Sequence, residues 1–497
     1  MDINKLLEIK GIAILDDEDN LKFSGYGKRL HNCDLSFASF EYLKTGLQGN
    51  DKAFKNYFIP FYKSESFVMD DRAYEKGRRP MVVSTYLTKG CVAKCTFCQR
   101  GSKGYNVYDL NKLDSYLQTL KEDYNVGFVA VEDENFGSDL KYAYQVAELF
   151  NKHNMLWVVK GIRCSSVTKE DLKFLQKNGL SQIKFGIESG SQTMLDVMAK
   201  KFTVDDVKRV QFACNEIGLY SPLHGFLIGM PGESIKTAFE SGKLMGELAA
   251  NMKVPLSLIW GHIDIFYTIP LVGTPLYEYG IQVGLLGKTA EDEEEYLKIT
   301  SNVAMYKRYF INLNGAPMSE VVFWDMLVFL EATRTYEKLM KGVEENKELK
   351  NKFIRKLEMA GLNPQVRSKQ KKIQVMGAAS EIKDISFSQY FITNFLKQHI
   401  IFNKKITKLP RFLVYPIVRY LLYFEYLIQK YFFKDDHNLH RNANSRNNSD
   451  IRIKDHELDP TKTTQKDRSL RTIVNKKMMQ LNKTEQEKVA STLTAGP

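Results

Sequence analysis

Three cysteines fall within eight residues, in the segment Gly90-Cys91-Val92-Ala93-Lys94-Cys95-Thr96-Phe97-Cys98. Thiolates spaced four and three residues apart on one loop can wrap three corners of a cubane iron–sulfur cluster, and such clusters take soft ligands. Three ligands for four irons leave one iron open, which marks a catalytic rather than a purely structural centre. Zinc would want a fourth Cys or His at short spacing, and none follows within the loop. The other cysteines, Cys33, Cys164 and Cys214, stand singly, so further clusters are not expected.

The elements around this loop are predicted from apolar periodicity. Short β-rich runs occur at Met81–Leu87, Gly127–Glu132, Leu156–Ile162, Gln182–Ile187, Leu223–Ile228 and Leu256–Ile269. Between them, helical spacing marks Leu110–Leu120, Leu140–Phe150, Lys169–Lys177, Ala199–Ile217 and Ile235–Leu248. Apolar strands alternating with amphipathic helices predict βαβ units, a parallel sheet and a partial (β/α)6 TIM-like barrel. The cysteine loop follows the first strand directly. Other chemistry-bearing segments end later strands: Glu132-Asp133-Glu134-Asn135-Phe136, Arg163-Cys164, Gly186-Ile187-Glu188-Ser189-Gly190-Ser191, and Gly225-Phe226-Leu227-Ile228-Gly229-Met230-Pro231-Gly232-Glu233. Clustered carboxylates at the C-terminal mouth of a barrel strand belong to the active-site face. Taken singly, each residue has a plain alternative: Phe97 as a core aromatic, Arg163 as a surface charge, Cys164 as inert packing and Glu188 as a solvated loop acid.

In this order the motifs resemble the radical S-adenosylmethionine (radical SAM) superfamily, over roughly residues 80–275. The resemblance implies that Cys91, Cys95 and Cys98 ligate a [4Fe–4S] cluster whose open iron is chelated by SAM. An electron from an external donor such as flavodoxin or ferredoxin then cleaves SAM reductively, under anaerobic conditions. The 5′-deoxyadenosyl radical so released abstracts hydrogen from a substrate. It also implies cofactor contacts for Phe97 along the adenine, Asp133 near the SAM amino group, Arg163 on the SAM carboxylate, Glu188 and Ser189 on the amino acid or ribose, and Gly229 and Gly232 against the adenine. Asp-Glu-Asn-Phe replaces the common Gly-Gly-Glu, and with Pro270-Leu271-Val272-Gly273-Thr274-Pro275-Leu276-Tyr277 it is similar to the cobalamin-type branch. Residues 1–78 are too short for that branch's cobalamin domain, and no Asp-x-His-x-x-Gly occurs, so cobalamin is not expected. Methylthiolation, which needs a second cluster, is disfavoured.

The 497 residues are 43% hydrophobic and 26% charged, which excludes global disorder, and six cysteines exclude a disulfide scaffold. No signal peptide is read at the start, and a cytoplasmic, reducing location is expected. The formal charge of +12 is unevenly spread: residues 361–497 hold 25 Lys+Arg against 12 Asp+Glu, leaving 46 against 47 in residues 1–360. The expected organisation is an N-terminal region of unknown role (1–78), the barrel (79–280), a helical domain (281–360), a basic aromatic segment (361–434) and a disordered tail (435–497). Long helices are predicted at Glu291–Leu313, Met318–Lys341 and Glu344–Glu358. Residues 386–433 are rich in Phe and Tyr, yet Pro410, Pro416, Arg419, Glu425 and Lys430 interrupt any spanning window. Three readings of this segment stay open: attachment to an anionic membrane surface at the inner face, a cap packed on the helical domain, and contact with nucleic acid. The substrate expected from the first is a lipid or lipid-linked molecule. RNA or peptide modification, and an inactive cluster-bearing scaffold, are the alternatives.

Overall fold

The computed structural model describes residues 3–15, 21–25, 35–64, 66–99, 104–223, 225–259, 263–287, 289–300, 311–314, 316–359, 400 and 403–432. Six parallel strands form the frame: β1 (Met81–Thr85), β2 (Val126–Val131), β3 (Leu156–Ile162), β4 (Leu180–Phe185), β5 (Phe226–Ile228) and β6 (Ile265–Tyr267). Sequential parallel pairing runs from β1 to β4 and again from β5 to β6. Two isolated parallel bridges, Gln182 to Tyr220 and Glu188 to Phe226, join the two halves in the order 1-2-3-4-5-6. An antiparallel edge at Ile59–Pro60 flanks β1. This is the expected partial (β/α)6 barrel. Its strands are buried from both faces, with five of the six residues of β2 buried, as the continuous apolar runs require.

The connecting helices are α1 (Leu110–Tyr124), α2 (Leu140–Lys152), α3 (Lys169–Lys177), α4 (Gln192–Val197), α5 (Val204–Ile217), α6 (Ile235–Met252) and α7 (Leu256–Ile259). Capping sets their starts: Asp109 and Asp139 accept first-turn N–H groups, and Thr168, Thr203 and Ser234 form reciprocal capping boxes. Two predicted boundaries are corrected. The helix expected from Ala199 begins only at Val204, because Ala199 and Lys201 take left-handed φ of 54° and 56°. The strand expected over Leu256–Ile269 opens as helix α7 and is extended only at β6, so the apolar run holds two elements.

After the barrel come α8 (Pro275–Gln282), α9 (Ala290–Thr300), α10 (Met318–Val321), α11 (Trp324–Leu339) and α12 (Lys347–Met359), then α13 (Lys404–Thr407) and α14 (Arg411–Phe432). The single helix predicted over Met318–Lys341 is broken at Phe323, whose φ of −119° is not helical. Helix α11 lies against α6 and shares the barrel's apolar core. Close approach needs glycine: a Cβ at Gly242 would stand 2.6 Å from the Val328 carbonyl, and one at Gly246 would meet the Ala332 carbonyl. The linker at 361–380, the predicted tail from 435 and Cys33 lie outside the described residues.

Candidate active site

The C-terminal ends of all six strands face one mouth, and the cysteine loop is tied into it at both ends. On the entry side, Asp133 at the end of β2 accepts the Leu87 N–H and the Thr88 hydroxyl, each at 2.8 Å, while Tyr142 donates to the Leu87 carbonyl. Within the loop, fully buried Thr96 donates through its N–H to the Met198 carbonyl and through its hydroxyl to that of Val197, both at 3.1 Å. Its own carbonyl accepts the Leu276 N–H at 3.0 Å. The loop is thereby held between β2, the end of α4 and the start of α8.

The three thiols share one neighbourhood. Desolvation of its sulfur pushes Cys98 up to about 11, and the Cys95 and Cys91 thiols add to the shift. Cys95 is raised by burial, which Lys200 opposes and Glu188 reinforces. Among the described residues no group of three or more His, Cys, Asp or Glu converges on a point that would hold a single metal ion. A cubane is held one thiolate to a corner, so its ligands have no need to converge. Three soft thiols on an anchored loop fit an iron–sulfur cluster in number and chemistry.

Beside the loop lies a pair that sequence reasoning missed in half. Glu188 takes a left-handed φ of 63° and is pinned there through its backbone to Gly225 and Leu227 on both sides. Its carboxylate pairs with Lys200 at 3.0 Å, with the two side chains 14% and 10% exposed. Burial lowers the Lys200 ammonium, yet Glu188 and Cys95 outweigh it and the net shift is upward. Gly186 leaves the room: a Cβ there would lie 2.8 Å from the Glu188 carboxylate and 3.3 Å from Lys200 Nζ. The same ammonium stands 5.9 Å from the Phe97 ring centre and 5.3 Å from that of Phe202. Arg163 donates to the Lys200 carbonyl. It also lines a cavity of about 360 Å³ with Val92, Ala93, Lys94, Ser138, Ser166, Ala199 and Lys201.

Other residues expected to meet the cofactor also have partners within the protein. Both Asp133 oxygens serve Leu87 and Thr88, and the residue is 3% exposed, so it positions the cysteine loop. Burial pushes its carboxyl up to about 6 against those bonds. Ser189 is fully buried; its hydroxyl contacts that of Ser241 on α6 and accepts the Ser191 N–H, which locks the loop to the helix behind it. Gly229 and Gly232 take positive φ, 95° and 77°. Gly229 donates its N–H to Glu233 Oε2 at 2.5 Å, and Met230 follows at 3.2 Å. Glu233 is thus the staple of this turn, with burial pushing its carboxyl up to about 8. Cys164 is fully buried in the core and its thiol is pushed up to about 12, as packing requires.

A partial barrel with a thiolate loop at its mouth defines a cluster-dependent α/β enzyme. Residues 85–244 match the radical SAM superfamily. This segment is a radical SAM domain, and a domain of that kind implies a [4Fe–4S] cluster, SAM and a reductant. It is similar to cytidylyl-2-hydroxyethylphosphonate methyltransferase of Streptomyces wedmorensis, at 26% identity over 249 residues, covering 49% of this chain and 43% of the relative. It is also similar to the anaerobic magnesium-protoporphyrin IX monomethyl ester cyclase of Rubrivivax gelatinosus, at 24% identity, covering 45% and 41%. The chain therefore spans about two fifths of the length of these curated relatives. Among solved structures, the cobalamin-dependent S-adenosylmethionine radical enzyme OxsB, with aqua-cobalamin and S-adenosylmethionine bound, aligns with a TM-score of 0.45 and 16% identity, over 87% of this chain and 62% of that one.

Proposed function

We propose that Cys91, Cys95 and Cys98 hold the [4Fe–4S] cluster and that this chain turns over a lipid or lipid-linked substrate with an anionic group, in the cytoplasm at the inner face of a membrane. When bound, the cluster supplies the electron that cleaves SAM and releases the hydrogen-abstracting 5′-deoxyadenosyl radical. The observation that carries the reading is the three-thiol loop anchored through Thr96 and Asp133 at the barrel mouth. The chain's own groups then divide the work. In this reading Arg163 would meet the SAM carboxylate, and Phe97 would offer a ring face to the adenine. Asn135 Oδ1 and Ser191 Oγ, buried without a hydrogen-bond partner beside the ends of β2 and β4, are left over for a ligand. Lys94, Arg163 and Lys201 make the cavity cationic, which suits a carboxylate or phosphate. One relative acts on a phosphonate by name, in keeping with an anionic substrate. Cobalamin has no part in this reading, since no Asp-x-His-x-x-Gly ligating motif occurs in the chain.

Anaerobic reconstitution tests the assignment. Wild-type protein is expected to show a broad visible charge-transfer band and, with dithionite and SAM, to form 5′-deoxyadenosine. Cys91→Ala protein should lose both while keeping its far-ultraviolet circular dichroism. A Cys91→Ala protein that kept cluster and cleavage would sink the assignment. Deuterium transfer into 5′-deoxyadenosine from labelled candidate substrates would identify the molecule attacked.

A further inference from the structure

Helix α14 has two faces of different fate. Val414, Tyr415, Val418, Leu422 and Glu425 are buried, and the helix is clamped inward by Arg411 and Tyr415 on Glu331 of α11 and by Arg419 on Glu320 of α10. This half is the packed cap. The opposite face carries Phe412, Leu413, Ile417, Tyr420, Tyr423 and Phe424, all exposed, with Phe412 at 74% and Tyr420 at 71%. At 100° per residue these positions fall in one stripe, an arc of about 140° that holds no charged residue between Phe412 and Phe424. A soluble surface rarely presents such a stripe uncovered.

From this we infer that the outer face of α14 seats in an anionic lipid bilayer surface. Charge complementarity selects the occupant. Lys405 and Lys408 are exposed just before the stripe begins, residues 361–497 carry 25 Lys+Arg against 12 Asp+Glu, Glu425 of α14 is buried, and the supporting acids Glu331 and Glu320 pair with Arg411 and Arg419. An apolar, tyrosine-bearing stripe beside exposed lysines matches acyl chains beneath anionic headgroups. A second copy would oppose it with the same uncharged stripe and leave the lysines without a counter-charge. Among the described residues no helix is long and apolar enough to cross a membrane, so the helix lies in the surface. The inference deepens the lipid-substrate reading and rests on α14 rather than on the barrel.

The test is flotation of the full-length protein with phosphatidylcholine vesicles, with and without phosphatidylglycerol. Recovery is expected to be far greater with the anionic vesicles. Phe412→Glu combined with Tyr420→Glu should weaken partitioning on the order of a hundredfold, since each loses a buried apolar anchor. Lys405→Glu with Lys408→Glu should abolish the preference for phosphatidylglycerol. Both variants touch exposed positions, so SAM cleavage should match wild type, which separates failure here from failure of the radical SAM assignment. Absence of wild-type flotation overturns the inference, as does equal recovery of the Phe412/Tyr420 variant. A wild-type dimer in vesicle-free solution that this variant converts to monomer assigns the face to a second copy and likewise overturns it.

Discussion

Glu233 shows how a single carboxyl can be essential to a turn and yet be best kept protonated. Its Oε2 accepts two backbone N–H groups from Gly229 and Met230, but it is 4% exposed, and burial raises its pKa from 4.5 to about 8. A raised folded-state pKa means that the native state holds the proton where the unfolded chain has lost it. The stabilisation is therefore complete below about pH 4.5 and declines as pH rises to about 8, by roughly 1.4 kcal/mol per pH unit at most. Glu233→Gln, which cannot titrate, should gain in melting temperature relative to wild type as pH is raised across that window. Parallel anaerobic melts of the two apo-proteins at several pH values check this; a constant difference between them would contradict it. The carboxyl was visible in the glycine-rich motif, but its partners were not. The same holds for Lys200, whose pairing with Glu188 across twelve residues depends on the left-handed turn at Ala199 and Lys201. No local pattern announces a buried ammonium, because it is burial by distant elements that makes it unusual.

At the scale of elements, the strands and barrel helices were legible because both obey periods that burial imposes. The β3 run at Leu156–Ile162 and helix α3 at Lys169–Lys177 fall where the apolar spacing puts them. What spacing cannot show is a change of conformation inside one apolar run, as at α7 and β6, or a packing partner distant in sequence. The α6–α11 contact is of that kind. Gly242 and Gly246 lie four apart on one face of α6, and α11 presses its backbone against them. A side chain at Gly246 would also stand 2.7 Å from the Thr335 Cβ and 3.1 Å from the Tyr336 N. Gly246→Val is expected to destabilise the protein by about 1–3 kcal/mol or more through overpacking. Gly46→Ala, in a helix where nothing lies within 4 Å of the new Cβ, should instead be neutral or stabilise by up to about 1 kcal/mol. Thermal melts of the pair distinguish tight helix packing from a general intolerance of glycine substitution.

For the whole molecule, the uneven charge separates two kinds of electrostatics. Beside the cysteine loop the central pair is shielded, with Glu188 and Lys200 14% and 10% exposed. In the C-terminal quarter the charges are numerous and two to one positive, and Lys405 and Lys408 face solvent. Salt screens the second kind far more than the first, since the Debye length falls from about 10 Å at 0.1 M to about 3 Å at 1 M. Raising sodium chloride from about 0.1 M to about 0.5 M should therefore leave the rate of 5′-deoxyadenosine formation within about twofold, while lowering recovery on phosphatidylglycerol vesicles about tenfold. The residual recovery should persist, because the Phe412 to Phe424 stripe is apolar and salt does not weaken its burial. If cleavage fell in step with vesicle recovery, the barrel mouth and α14 would be one electrostatic unit and the division drawn from the charge distribution would fail. If recovery vanished altogether, lysines alone would hold the bilayer and the stripe would have some other occupant.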